Sequence, residues 1–144
     1  MYLLFITCNS DLLALIYVII SLIVRTAAVP NRSGVNLTES FSTVYHKRMW
    51  GPDGGGSGGG STMKATKSTR HFLHKFVLEH NVTRFLDAPC GAMEWQKALL
   101  HHIQETRPIN FVGMDIVPSV IERNKESFSN EKSWKFIWGD ISST

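Results

Sequence analysis

Three carboxylates supply the first chemical signal in this sequence. Asp87 follows Val-Thr-Arg-Phe-Leu at 82–86, Asp115 closes Phe-Val-Gly-Met, and Asp140 comes two residues after Trp138. A carboxylate is a pure hydrogen-bond acceptor. Bringing three of them onto one rim is costly unless a ligand rich in donors bridges them. Asp87 opens the turn Asp-Ala-Pro-Cys-Gly, and Gly91 lets the backbone approach a ligand with no side chain in the way. Asp115 stands 28 residues after Asp87. That is the strand–helix–strand separation at which an acid meets ribose hydroxyls in nucleotide-binding folds. Plainer roles stand beside these. Asp87 alone would serve as a helix cap. Cys90 has no histidine near it by pattern, so a small buried turn residue is the better reading than a nucleophile. Glu94 fits the first turn of a helix better than a ligand contact.

The elements that position these residues alternate. Residues 66–79 place Phe72, Leu73, Phe76 and Val77 on one helical face, with a basic outer side. A short strand is expected over 82–86. A helix follows over 93–104, with Trp95, Leu99 and Ile103 at i, i+4 and i+8. Residues 110–117 read as a buried strand. Residues 118–128 read as a helix with Pro118 in its first turn, Ile121 and Phe128 facing inward. A third strand over 134–138 carries Trp134 and Trp138 on one face, as core. This order predicts an α/β fold with parallel strands and crossover helices, the strands lying side by side as 3-2-1. Ligands of such sheets bind beyond the carboxyl ends of the strands, where all three acids fall.

On these residues the chain resembles class I S-adenosylmethionine-dependent methyltransferases. The resemblance rests on Phe-Leu-Asp-Ala-Pro-Cys-Gly-x-x-x-Trp, then Phe-Val-Gly-Met-Asp-Ile-Val-Pro-x-x-Ile-x-x-Asn. It is similar in particular to a group with a Pro-Cys-Gly turn in place of the glycine-rich loop, and it covers residues 45–144. It implies a Rossmann-like three-layer sandwich with S-adenosyl-L-methionine as cofactor. By the same resemblance Asp87 and Gly91 would line the pocket for the methionine part. Asp115 would hold the ribose hydroxyls and Ile116 would pack on adenine. Asp140 would accept from the adenine amino group, with Ile141 beside it. No catalytic residue is assigned. Pro89 and Met93 stand where the common loop has glycine, so the turn must be shaped differently.

The family's sheet continues beyond its third strand, whereas this sequence ends at Thr144. The expectation is a domain truncated after the third parallel strand: a fragment or short isoform without the acceptor-binding half, inactive on its own, its first strand an unpaired apolar edge. The methyl acceptor is not identified. Two further readings stay open: a non-catalytic module for another adenosine nucleotide, and a membrane-tethered pseudo-methyltransferase.

Composition bounds the rest. The 144 residues are 43% hydrophobic and 19% charged, which excludes whole-chain disorder. A net charge of +3 without a basic run gives no indication of nucleic acid. Two cysteines make neither a disulfide framework nor a zinc site, and the histidines lack a third ligand, so no metal is expected. Residues 12–24 form thirteen uncharged, mostly apolar positions. An N-terminal apolar helix is expected there, with residues 1–28 acting as signal peptide or membrane anchor. Any membrane contact would run through 12–24, placing the chain at a membrane or in the secretory pathway. Asn31, Asn36 and Asn81 match the glycosylation acceptor pattern.

Residues 29–62 read as a polar, Gly/Ser-rich linker leading to a domain over 63–144. Residues 51–60 hold seven of the eleven glycines. Gly54-x-Gly56-x-x-Gly59 formally matches a dinucleotide fingerprint, but no strand precedes it. Its expected state is a flexible loop; the alternative is a cradle of backbone amides for a carboxylate.

Overall fold

The computed structural model describes residues 2–8, 16–20 and 36–140. In chain order the elements are β1 (Tyr2–Cys8), β2 (Ile16–Ile20), α1 (Leu37–His46), α2 (Lys67–Glu79), β3 (Val82–Ala88), α3 (Gln96–Gln104), β4 (Asn110–Asp115), α4 (Pro118–Ser127) and β5 (Trp134–Trp138). The fold is α/β. Strands β3, β4 and β5 are parallel neighbours, with Asp87 opposite Gly113 and Asp115 opposite Trp138. Their spatial order is the one expected from right-handed crossovers through α3 and α4.

The core explains why each element holds. Leu73 and Val77 of α2, Leu99 and Ile103 of α3, and Ile121 of α4 are buried with Phe85 and Phe111. Fully burying a side chain of this size is worth about 1.5–3 kcal/mol, so a helix with two or three such residues on one face is held by tertiary packing. Pro118 starts α4, where its missing N–H costs nothing.

Several expectations are corrected. No N-terminal apolar helix is present among the described residues. Tyr2–Cys8 and Ile16–Ile20 are antiparallel strands instead, rich in the β-branched and aromatic types that favour strands. The remainder of 1–28, including much of 12–24, lies outside the described residues. Among those described, no helix is long and apolar enough to cross a membrane. The first parallel strand is not an edge: β1 pairs antiparallel with β3, Leu3 opposite Ala88 and Phe5 opposite Leu86. The open N–H and C=O groups of β3 thereby find partners. The sheet order is β2-β1-β3-β4-β5.

The expected linker holds ordered elements too. Residues 37–46 form a helix because Asn36 caps it, accepting from the Glu39 amide at 3.2 Å. Trp138 is not core: it is 57% exposed, whereas Trp134 is buried. Phe72 is also exposed, on the outer flank of α2.

Candidate functional site

The turn after β3 is held from every side. The Cys90 amide donates to the Met114 carbonyl at 2.8 Å, tying the turn to β4. The buried Gln96 amide at the start of α3 donates to Asp87 Oδ2 at 2.7 Å and to the Cys90 carbonyl at 2.8 Å. Asn124, buried on α4, donates to the Gly91 carbonyl at 2.8 Å. Gly91 has φ +54°, and a Cβ there would lie 2.5 Å from Ser57 Oγ. That hydroxyl accepts from the Ala92 amide at 3.2 Å, so glycine is required by both conformation and space. Met93 also takes a positive φ, 59°, with its side chain fully buried. The backbone takes a left-handed step at Met93 without glycine, and the side chain fills the core.

Asp115 stands at the tip of β4. Its Oδ2 accepts from the Gly91 amide at 2.9 Å and its Oδ1 from the Val117 amide at 3.0 Å. Burial raises its pKa above the ordinary carboxylate value, and these amides pull the other way. Each oxygen has a second lone pair for a donor from a ligand. Asp87 lies deeper, 1% exposed, and burial lifts its pKa to about 7 with a further push from Asp115. The Cys90 thiol is raised as well, by burial and then by the two carboxylates. That environment suits packing and opposes a nucleophilic thiolate.

A cavity of about 730 Å³ opens beyond the carboxyl ends of β3, β4 and β5. Gly91, Asp115, Ile116 and Asp140 line it. Asp87 does not: it sits beneath the turn and reaches the cavity only through Gln96, which does line it. The expected lip of three acids is thus two acids, with the third buried as a support. Ile116 also accepts from Trp138 Nε1 at 3.0 Å through its carbonyl. Ile141 lies outside the described residues.

The far wall consists of residues that sequence reasoning missed. Leu37, Phe41 and Tyr45 come from α1, followed by Trp50. Their i, i+4, i+8 spacing behind an Asn-x-x-Glu cap was the available signal. The Gly/Ser segment is not a free loop. Gly54–Gly56 and Gly59–Ser61 form two short 3-10 turns. The Tyr45 hydroxyl donates to the Gly55 carbonyl at 2.8 Å and accepts from Arg123. Gly56, at φ +97°, would place a Cβ 3.3 Å from the Tyr45 ring. The segment therefore needs glycine in order to close against α1.

Among the described residues, the charged side chains lining the cavity are Glu94, Asp115 and Asp140, with no lysine, arginine or histidine. Aromatic and aliphatic groups make up much of the remaining wall. Such a site favours a ligand with donors and positive charge and disfavours a polyanion. Among the described residues no group of three or more histidine, cysteine or acidic side chains could hold a metal ion. Comparison of the chain with family models, with curated proteins and with solved structures gives no match.

Proposed function

We propose that this chain is the S-adenosyl-L-methionine-binding part of a methyltransferase, with the α/β sheet arranged as a Rossmann-like three-layer sandwich. The observation that carries the reading is the charge of the cavity. It lies at the carboxyl ends of the parallel strands, and among the described residues its charged lining is Glu94, Asp115 and Asp140, with no basic side chain. Adenosylmethionine brings a sulfonium, an ammonium, two ribose hydroxyls and an adenine amino group. The ammonium, hydroxyls and amino group donate to carboxylates, the sulfonium is drawn to them by charge alone, and the ligand's own carboxylate would need backbone N–H groups instead.

Asp115 would take the ribose hydroxyls with the lone pairs left by its backbone bonds. Asp140 would accept from the adenine amino group and Ile116 would cover the ring. Gly91 would bring backbone close to the methionine part, and Asp87 would act from below by fixing Gln96 and the turn. The cofactor supplies an activated methyl group, so the protein's share of the work is alignment and exclusion of water. Phe41 and Trp50, with ring centroids 6.1 Å apart, supply the apolar cover for that exclusion.

Calorimetric titration of the full chain tests the reading. Adenosylmethionine and adenosylhomocysteine should both bind, and Asp115→Asn should weaken both roughly tenfold or more, the worth of a charge-assisted hydrogen bond. ATP should not bind, because its phosphates would face Glu94, Asp115 and Asp140. Binding of ATP with no binding of either methionine derivative would overturn the proposal in favour of a phosphonucleotide module.

A further inference from the structure

A second concavity lies between α2 and α3, lined by residues other than those of the large cavity. Its volume is about 240 Å³. Lys67, Arg70, His71 and His74 line it from α2, at i, i+3, i+4 and i+7 and hence on one helical face. His102 lines it from α3, with Ala98 and Leu99 on the same side. Among the described residues, every ionisable group in that lining is basic. His74 and His102 stack face to face, with centroids 3.9 Å apart and planes 14° from parallel. His74 Nε2 is buried and has no hydrogen-bond partner. A buried ring nitrogen left without a partner is costly, and an anionic oxygen would satisfy it.

We propose that this groove is a binding site for a phosphate group, with Lys67, Arg70 and His71 supplying charge and the His74–His102 stack supplying ring N–H donors. Arg70 keeps capacity for this role. Its Nη1 donates to the Met63 carbonyl at 2.7 Å and to Thr66 Oγ1 at 2.6 Å, which leaves its other nitrogens available and its position fixed. A fixed guanidinium beside the exposed Lys67 ammonium and His71 imidazole suits a tetrahedral dianion. The groove is dimensioned for one phosphate and a small substituent, well short of a whole nucleotide. Glu105, the C-cap just past α3, is the nearby countercharge acting on His74. Burial, then His102 and His71, hold His74 below its ordinary pKa, so a bound anion would draw protons onto the pair.

Titration of the full, histidine-labelled chain with inorganic phosphate, followed by NMR of the imidazole resonances, tests the site. The expected result is saturable shifts at His74 and His102, with the His74 titration midpoint moved upward. Lys67→Ala combined with His71→Ala alters only exposed side chains. It should weaken phosphate binding roughly tenfold or more. His74→Phe keeps an aromatic ring to stack and should abolish binding through the lost Nε2. Lys75→Ala removes an equal charge from α2 outside the groove, at a residue paired with Glu79, and should leave binding unchanged. Phosphatidylcholine vesicles doped with phosphatidic acid separate two sources of the group. Vesicle capture that is competed by phosphate identifies a lipid headgroup, and phosphate binding without capture identifies a soluble ester. Absence of saturable shifts, or equal weakening by Lys75→Ala, overturns the proposal. The outcome is independent of whether the large cavity binds adenosylmethionine.

Discussion

The Gly91 amide donates to Asp115 Oδ2 at 2.9 Å, so the turn that follows one strand is fastened to the tip of the next. The Asp115 carboxylate serves two ends at once, because its other oxygen takes the Val117 amide at the entry to α4. Asp115→Ala would leave both amides without an acceptor. A buried unsatisfied donor costs about 1–3 kcal/mol, so a loss of roughly 2–5 kcal/mol is expected in urea unfolding. Asp115→Asn keeps one oxygen and should lose about half as much.

Asp87 makes stability depend on pH with a definite sign. Its pKa in the folded chain, about 7, is raised above the ordinary 3.8. Between those values the folded state holds a proton that the unfolded state has released. Its contribution is therefore fully present below about pH 4 and is lost as pH rises through about 7. Asp115 is shifted in the same direction. Asp87→Asn replaces the protonated acid with a neutral isostere that still accepts from Gln96. Thermal melts at a series of pH values should show the variant gaining on the wild type as pH rises from 5 to 8, by up to a few kcal/mol. A constant difference across that range would contradict the assignment.

Gly91→Ala tests the closeness of the turn to the Gly/Ser segment. The added methyl would collide with Ser57 Oγ at 2.5 Å from a left-handed backbone. Strain and loss of the Ser57–Ala92 bond together should cost about 2–4 kcal/mol. Gly60→Ala is the control: nothing lies within 4 Å of its added carbon. Its effect should stay within about 0.5 kcal/mol, as for other surface changes.

Tyr45→Phe removes the hydroxyl that joins α1, Gly55 and Arg123. The expected loss of stability is small, about 0.5–1.5 kcal/mol. The local effect should be larger. Hydrogen exchange of amides in 54–61 should accelerate, while exchange in β4 stays unchanged. Equal acceleration in both regions would show that Tyr45 contributes to global stability and does not specifically anchor the cavity wall.

Glu94→Gln separates charge from shape in the large cavity. Glu94 is half-buried on the wall, close to Gly55. If a sulfonium is bound, the substitution should weaken adenosylmethionine several-fold more than adenosylhomocysteine, which lacks that charge. The difference should shrink in high salt. Equal weakening of both ligands would place Glu94 outside the field of the sulfur.

Local pattern made the alternating helices and strands from residue 66 onward legible. Leu99, Ile103 and Ile121 mark helical faces by their spacing, and Pro118 marks a helix start. The place of Asp115 and Gly91 at the cavity was likewise legible, because an acid or glycine just past a parallel strand falls on a rim set by strand polarity. Residues 37–61 were not legible in the same way. Asn36 opens a glycosylation triplet, a pattern that says nothing of the helix its side chain caps. The glycines looked like slack, when their missing side chains let Tyr45 and Ser57 close in.

What the sequence by itself determined is the set of periodicities: which stretches bury one face, in what order, and which residues follow each strand. What only the tertiary structure decided is depth and partnership. Asp87 and Asp115 follow their strands alike, yet one lies under the turn against Gln96 and the other reaches the cavity. The physical reason is that burial and hydrogen-bond pairing depend on residues distant along the chain. Contacts such as Ser57 with Ala92 and Tyr45 with Arg123 leave no periodic trace in the segments they join.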